Sequence, residues 1–485
     1  MTILIKINPK AKFNYSKNGI EIYLDGSENK LKVNNLRPGL SALICSLKEK
    51  NLSYSDHMKS IKSKYPKENF LNIFANISKI EQLGLLIYEC QISELTLLKL
   101  EPQNSNFKKS EKVKGDIFLS LNQNFNMVLA KDKSSFLIEI PFSNSFIKII
   151  NIEILNIIYQ FRKKSLTSNV ENKVLNLSNE DLFEVLTLLV NANVLLKNET
   201  GENNKKENEQ FTNLWNVSDL NFHHVSRYGF HRRPLGATWR GELLGIRQKD
   251  LTTKYLGKVI NLKKPSINTT QPGFFDVIES RRSIRNYDET NLIDSSDISS
   301  LLWYSYRIKK ELGNKWSDKL ENFSNQKNDN SCNFELNLRP VPAGGSIHEL
   351  ELYLLINKAK NIKKGFYHYQ ARDHSLEIIK DELCDNAKRL LEESRKTAAI
   401  EHYPHVLIII AAEYGKLAYK YEDITYSLIL KHSGVLIQQL YLVATALNLA
   451  PSALGTGNID LFSKITGLNI LKQTSVAEFI LGSKI

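Results

Sequence analysis

The chain of 485 residues is 42% hydrophobic and 24% charged, the balance of an ordinary globular protein long enough for about three domains. Its formal charge of +13 is spread as +6 over residues 1–215 and +7 after them, with no basic tail. That spread weighs against nucleic acid as a partner and leaves room for an anionic cofactor or an acidic peptide. Four cysteines, Cys45, Cys90, Cys332 and Cys384, form no CxxC pair, so neither a disulfide framework nor a zinc site is expected. MTILIKINPKAKF does not read as a signal peptide, and no run of about 18 apolar residues exists, so a cytoplasmic location without a membrane span is expected.

The first 200 residues repeat one pattern. GIEIYLDG reads as a strand, LSALICSLKEK as a helix, and FLNIFANISKIEQLGLLIYE as an amphipathic helix running into a short apolar strand. FLIEIPFSNSFIKII, IEILNIIYQFRK and LFEVLTLLVNANVLLKN follow the same order. This is the outline of one or two small winged-helix-like modules, the first over residues 1–102 and the second over 116–197, with a polar seam at 103–115. NETGENNKKENEQ (198–210) has no apolar anchor and reads as a linker, extended here to 198–214. SNQKNDNSCN (324–333) reads as a surface loop.

From residue 215 onward helices and strands alternate. ELELYLLIN (349–357) is a strand, and HVLIIIAAEY (405–414) a strand buried on both faces. YSLILKHSGVLIQQLYLVATALNL (426–449) is a long helix, apolar around most of its circumference, with Lys431, His432, Gln438 and Gln439 breaking the pattern. EFILGS (478–483) is a last strand. The expected class is α+β, with a mixed sheet around buried central helices.

Several common chemistries lack their motifs: no GxGxxG follows a strand, and GxxxxGK[ST], HExxH and GxSxG are absent. What the sequence does offer is RRSIR (281–285). Arginine binds a phosphomonoester through a two-pronged fork, and serine adds a hydroxyl. A solvated basic helix end is the competing reading of the same pentad. PAGGSI (342–347) places two glycines ahead of a strand, where backbone can approach a flat ligand. LAPSALGTGN (449–458) presents small residues after the long helix, as a ligand-facing backbone or as a helix stop. Among the histidines, His348 reads as a turn hydrogen-bonder, and His223, His224 and His231 are too scattered for a metal site, so none is assigned. Tyr367 and Tyr369 read as core residues of a strand.

RRSIRNY, PAGGSIHELELYLLIN, GFYHYQARDHSLEII, KYEDITYSLILKHSGVLIQQLYLVATALNLAPSALG and EFILGS follow one another in an order that resembles the SagB/ThcOx-type azoline peptide dehydrogenases. These belong to the FMN-dependent nitroreductase superfamily and include the cyanobactin oxidases. The likeness covers residues 215–485, and SRYGFHRRPLGATWRG (226–241) resembles the entry segment of that domain. The resemblance implies a nitroreductase-like FMN domain in a homodimer, with FMN at the subunit interface. It implies oxidation of thiazoline or oxazoline rings to thiazole or oxazole in a ribosomal precursor peptide, with oxygen as final acceptor. By position it assigns Arg281, Arg282, Ser283 and Arg285 to FMN, Ala343, Gly344 and Gly345 to the turn beside the flavin, and Leu454 and Gly455 to its reactive edge. Lys420 and Tyr421 match the family's catalytic pair, with lysine as base and tyrosine sharing the proton. A lysine serves as base once its pKa falls toward 7–8, an effect that nearby arginines promote. A surface pairing of Lys420 with Glu422 or Asp423 is the plainer alternative. Ser452 stands where many relatives carry Cys, which matters little if only backbone meets the cofactor.

In that family the N-terminal modules imply recognition of a precursor leader peptide, added as an extra strand, with a cyclodehydratase as a further partner. Two other readings stay open: an FMN-dependent reductase of dehydroamino acids or other small electrophiles, and a flavin-linked winged-helix DNA-binding regulator. The predicted recognition helices are not Arg-rich, which disfavours DNA. Neither the substrate peptide, nor thiazoline against oxazoline, nor the number of modules that bind a leader is written in the sequence.

Overall fold

A computed structural model describes the chain except residues 198–213, 231–234, 254–256, 267–271 and 313–335 and the short positions 1, 10, 17–18, 25–29, 35, 51, 68, 105, 111, 131 and 172–174. The predicted linker 198–210, the surface loop 324–333, Cys332 and His231 therefore lie outside the described residues. The chain divides into two compact units, Met1–Arg233 and Pro234–Ile485. The division falls after the expected boundary at 214. The reason is local: helix Val217–Val225 belongs to the first unit, where His224 is buried and Phe142 stacks edge-on against His224 and Phe230.

In the first unit, helix Phe70–Gln82 leads into the hairpin Leu86–Ile92/Leu95–Pro102, and helix Asn179–Asn191 leads into strand Leu195–Lys197. Asn69 and Ser178 cap these two helices by accepting backbone N–H groups. The two segments expected as separate modules share one sheet, because Leu95–Pro102 pairs antiparallel with Ser145–Ile149, with Leu100 opposite Ile147. They also share one core, in which Leu43, Ile80, Leu98, Ile147 and Leu186 are all buried. Strand Asn126–Leu129 is one outer edge of that seven-stranded sheet, with Met127, Val128 and Leu129 exposed.

The second unit is built on a seven-stranded sheet, in the order Val259–Asn261, Ser375–Lys380, Gly365–Gln370, Leu350–Ile356, Val406–Ala412, Thr474–Ser483, Leu449–Leu454. The α+β class holds, but every described ladder in this sheet is antiparallel, where a mixed sheet was expected. Three of its strands, Leu350–Ile356, Gly365–Gln370 and Ser375–Lys380, are joined in turn by two short reversals, which only antiparallel neighbours allow.

Both faces are covered, and the period of two sorts the side chains. Leu352, Leu354, Ile408 and Ile410 pack with Ile429, Leu436 and Leu440 of the long helix Thr425–Ala446. Leu355, Leu407 and Ile409 pack with Leu390 and Leu391 of helix Asp385–Ala398 and Phe462 of helix Ile459–Thr466. Strand Val406–Ala412 is buried at every position, as its continuous apolar run predicts. Tyr367 and Tyr369 lie in the core as expected. LAPSAL is not a loop: it forms an outer strand, and Pro451 is tolerated there because the outer strand need not donate on both sides.

Glu478 sits inside this sheet, opposite Leu454, with its Oε1 buried and, among the described residues, without a hydrogen-bond partner. A Cβ at Gly457 would stand 2.5 Å from that oxygen, so the glycine makes room for the carboxyl. Burial, with Glu393 nearby, pushes the Glu478 carboxyl up to about 7 against an opposing backbone hydrogen bond from Asn458. The folded state thus keeps a proton that the unfolded chain releases near pH 4.5, so stability falls as pH rises from there to about 7 and then levels. Glu478→Gln should flatten that slope and gain about 1–3 kcal/mol at pH 8, read from urea unfolding at pH 5 and pH 8.

Candidate functional site

One register places the first group of residues. Leu350 lies opposite Ala412, so the N-terminal end of one central strand meets the C-terminal end of the next, and Glu413 N–H donates to Glu349 O at 2.9 Å. The turn before Leu350 and the segment after Ala412 therefore share one end of the sheet. In that turn Gly345, Ser346 and His348 all have positive φ (64°, 58° and 49°). A Cβ on Gly345 would stand 2.6 Å from Lys420 Nζ and 3.3 Å from Tyr421 OH, and one on Gly344 would stand 3.5 Å from the Tyr421 ring. Gly344, Gly345, Lys420 and Tyr421 are thus brought together, with Ala343 leading into the same turn.

Lys420 is 4% exposed and lies 5.2 Å from the ring centres of both Trp239 and Tyr421. The surface pairing with Glu422 is not seen: Glu422 bonds Arg240 at 3.2 Å instead. Burial raises the Tyr421 phenol above its ordinary pKa. The arginines expected to flank Lys420 lie at a different place, described next.

A strap holds the Lys-Tyr segment from outside. Trp239 N–H donates to Lys420 O at 3.1 Å, Gly241 N–H donates to Tyr419 O at 2.9 Å, and Ala237 bridges Tyr421. Trp239 itself adopts the left-handed region at φ 54°, ψ 38°, which is costly for a non-glycine residue. Tyr419 OH donates to the Glu242 carboxylate. Beneath, Lys416 pairs with Glu413 and with Glu351 at 3.5 Å, and His368 lies 3.0 Å from Glu351. Burial opposes ionisation of Glu351, but Lys416 and His368 hold its carboxyl down at about 2. A cavity of ≈ 340 Å³ opens beside Tyr421, walled by Leu244, Leu251, Tyr414 and Tyr419.

The second group gathers around Tyr441, on the long helix. Helix Phe274–Ser280 ends at Arg281, and the chain then runs extended, with Ile284 N–H donating to Pro451 O at 2.8 Å. Ser283 Oγ lies 2.8 Å from Tyr441 OH, which also accepts Ala453 N–H at 2.7 Å. The Arg281 guanidinium stands 5.4 Å from the Tyr441 ring centre. Arg282, Ser283 and Arg285 are exposed, and none of the three arginines makes an ion pair among the described residues. Leu454 is half-buried and Gly455 exposed at the end of the same outer strand.

The sequence reading singled out neither Tyr441, His432, Glu349 nor Trp239 as site residues. His432 Nε2 accepts Gly344 N–H at 3.0 Å, and its Nδ1 lies 2.7 Å from Glu349 Oε1. A signal for His432 was present, since it breaks the apolar pattern of the helix. His348 is buried, not part of the turn's own bonding: burial and Arg339 push its imidazole down to about 3 against a backbone bond with Asn337. Among the described residues no three His, Cys, Asp or Glu side chains are placed to hold a metal, and no helix is long and apolar enough to cross a membrane.

Residues 278–483 match the family described as Nitroreductase family. A protein of Methanocaldococcus jannaschii named as a candidate nitroreductase is 25% identical over 200 residues, covering 41% of this chain and 86% of that relative. Among solved structures, a nitroreductase-type protein of Ralstonia eutropha is 15% identical and covers 53% of this chain and 96% of its own, with a TM-score of 0.35. The E. coli microcin synthetase McbBCD complex, with truncated pro-MccB17 bound, is similar over 57% of this chain and 97% of the matched chain at 16% identity and a TM-score of 0.32. A Desulfovibrio desulfuricans structure of the same type, in complex with FMN, covers 44% and 86% at 15% identity and a TM-score of 0.26. The C-terminal half of this chain carries a nitroreductase-family domain, over residues 278–483.

Proposed function

We propose that the second unit is an FMN-dependent oxidoreductase that oxidises azoline rings of a ribosomally made peptide to azoles. The observation that carries the reading is the meeting of buried Lys420 and Tyr421 with the Gly344–Gly345 turn. The residues fit the cofactor: three arginines without ion-pair partners among the described residues suit a phosphate, and Gly345, lacking a Cβ, lets Lys420 Nζ and Tyr421 OH approach the turn closely. In this reading Arg281, Arg282, Ser283 and Arg285 hold the FMN phosphate, Ala343, Gly344 and Gly345 flank the ring, and Leu454 and Gly455 meet its reactive edge.

Aromatising an azoline removes two hydrogens, one as a proton and one with its electron pair. FMN, when bound, supplies the acceptor for that pair, and oxygen is the final acceptor. Lys420, as the free amine, takes the Cα proton, and Tyr421 shares it. The Trp239 strap and the buried aromatic walls exclude water from the lysine. The cavity beside Tyr421 offers room for the peptide residue next to the ring. A reductase would need a proton donor at this position but no base; the Lys-Tyr pair favours oxidation.

Two further elements belong to the proposal. His432 and Tyr441 are nine residues apart, roughly 13 Å along the helix axis, so one copy presents two separated half-sites. Phe274, Phe275, Leu430 and Val435 are exposed apolar residues on the helices that carry them, which supports a homodimer that completes each site. The leader is assigned to the first unit, where the open edge Asn126–Leu129 offers backbone groups for an added strand. A cyclodehydratase is the expected supplier of azolines.

Incubating the full chain with FMN, oxygen and an azoline peptide should remove about 2 Da per ring by mass spectrometry, the mass of the two hydrogens lost. Lys420→Ala and Tyr421→Phe should lower the rate by about 10²–10⁴-fold, the usual contribution of a proton-transfer group. Yellow, FMN-loaded protein that leaves the peptide mass unchanged would turn the reading toward a reductase. Val435→Glu should yield monomers by light scattering and weaken FMN binding; an unchanged dimer would remove this helix from the interface. Val128→Pro should weaken leader binding about tenfold by fluorescence anisotropy, and equal affinity would move the leader elsewhere.

A further inference from the structure

We propose that His432, oriented by Glu349, is a positioning residue that fixes the Gly344–Gly345 turn against Lys420 and Tyr421. The inference rests on the oxidase reading for its kinetic consequence, while its structural core does not.

The bonding assigns the tautomer. A backbone N–H can only donate, so His432 Nε2 must accept from Gly344, and its proton sits on Nδ1, where it donates to Glu349 Oε1. Glu349 is 0% exposed, and its other oxygen, Oε2, is buried without a hydrogen-bond partner among the described residues. A fold seeking stability alone gains little from a buried carboxyl so incompletely satisfied. Among the described residues its side-chain hydrogen-bond partner is the histidine, and the histidine's backbone partner is the turn.

The turn needs such a hold. Gly345, Ser346 and His348 all have positive φ, and the two non-glycine residues are strained there. The bonds within the turn are Ser346 N–H to Ala343 O at 3.1 Å and Ile347 N–H to Gly344 O at 3.4 Å. The first holds the Ala343–Gly344 peptide by its carbonyl; His432 holds the same peptide by its N–H, a bond that the turn itself does not supply. Lys420 Nζ and Tyr421 OH also lie against this turn, so the Glu349–His432 pair and the candidate base meet at the same two glycines. Releasing the clamp lets the turn relax, and the distance from Gly345 to Lys420 is then no longer set.

Three variants of the full chain test this. His432→Phe keeps the ring but has no acceptor. His432→Gln puts an oxygen near the place of Nε2. Glu349→Gln keeps an acceptor for Nδ1–H and removes the charge. The first readout is amide hydrogen exchange over residues 341–349, which needs neither FMN nor substrate. Exchange at Gly344 should quicken at least tenfold in His432→Phe and return toward the wild-type rate in His432→Gln; unchanged exchange in His432→Phe overturns the proposal. The second readout is kinetic. His432→Phe should lower kcat 10–100-fold with KM for the peptide within twofold, and should shift the pH–kcat profile. Faster exchange with kcat, KM and pH profile all unchanged would make the dyad structural only and likewise overturn it. Glu349→Gln should show the same pattern more weakly, and guards against misfolding of the phenylalanine variant. Wild-type protein that oxidises no azoline would refute the oxidase reading, while the exchange result and the visible spectrum of bound FMN in wild type and His432→Phe would still decide the clamp.

Discussion

The opposition of Leu350 and Ala412 is the constraint on which the candidate site depends. Antiparallel pairing sets the start of one strand beside the end of its neighbour, so residues about 75 apart in sequence emerge at one rim of the sheet. Glu349 and Glu413 are the first residues beyond the paired ends. The first group of candidate residues lies just outside them: the glycine turn beyond one end, and the Lys420–Tyr421 segment beyond the other. A register slip of one residue would turn Leu352 and Leu354 to the wrong face and leave both layers unpacked, so the core itself enforces the rim geometry.

The long helix Thr425–Ala446 is the second organiser. Its buried side, Ile429, Leu436, Leu440 and Ala444, is fixed to the sheet, which leaves its polar residues few directions. His432 is committed to the glycine turn and Tyr441 to the arginine pentad. The helix therefore indexes two clusters against each other at a set spacing. The ion cluster of Lys416, Glu413, Glu351 and His368 anchors the approach to Lys420 from below, and Glu413 also takes the Thr253 N–H. Such pairs gain little net stability once desolvation is subtracted, so their value here is geometric.

Compact, locally encoded features were legible in the sequence. RRSIR, the paired glycines and the Lys-Tyr dipeptide are each contiguous, and residue type alone states what they can bind or donate. The fully buried strand Val406–Ala412 and the long helix were equally plain, because apolar runs of their lengths have few other solutions. What escaped depends on helix phase and strand register. Nothing local marks Tyr441 as the hub for Ser283 and Ala453, or Glu349 as the partner of a histidine 83 positions away. The edge strand Leu449–Leu454 was hidden by its proline, a residue that suits a turn equally well until the neighbouring strand is known. The shared sheet of the first unit was hidden for the same reason: two similar segments read as two modules until Leu100 is found opposite Ile147.

The strap at Trp239 lies 39 residues upstream of the family-matched segment, which begins at residue 278. Yet it supplies the backbone donors for Tyr419 and Lys420, the bridge to Tyr421, and a ring beside Lys420 Nζ. A ring of Tyr419 fills the space above Gly241, where a Cβ would stand 2.1 Å from it, so no bulkier residue can take over that crossing. The candidate site is thus built from more of the chain than the family-matched segment 278–483. A fragment trimmed to residues 278–483 would retain the three arginines of the pentad, Gly344, Gly345 and Lys420, but would deliver that lysine to solvent.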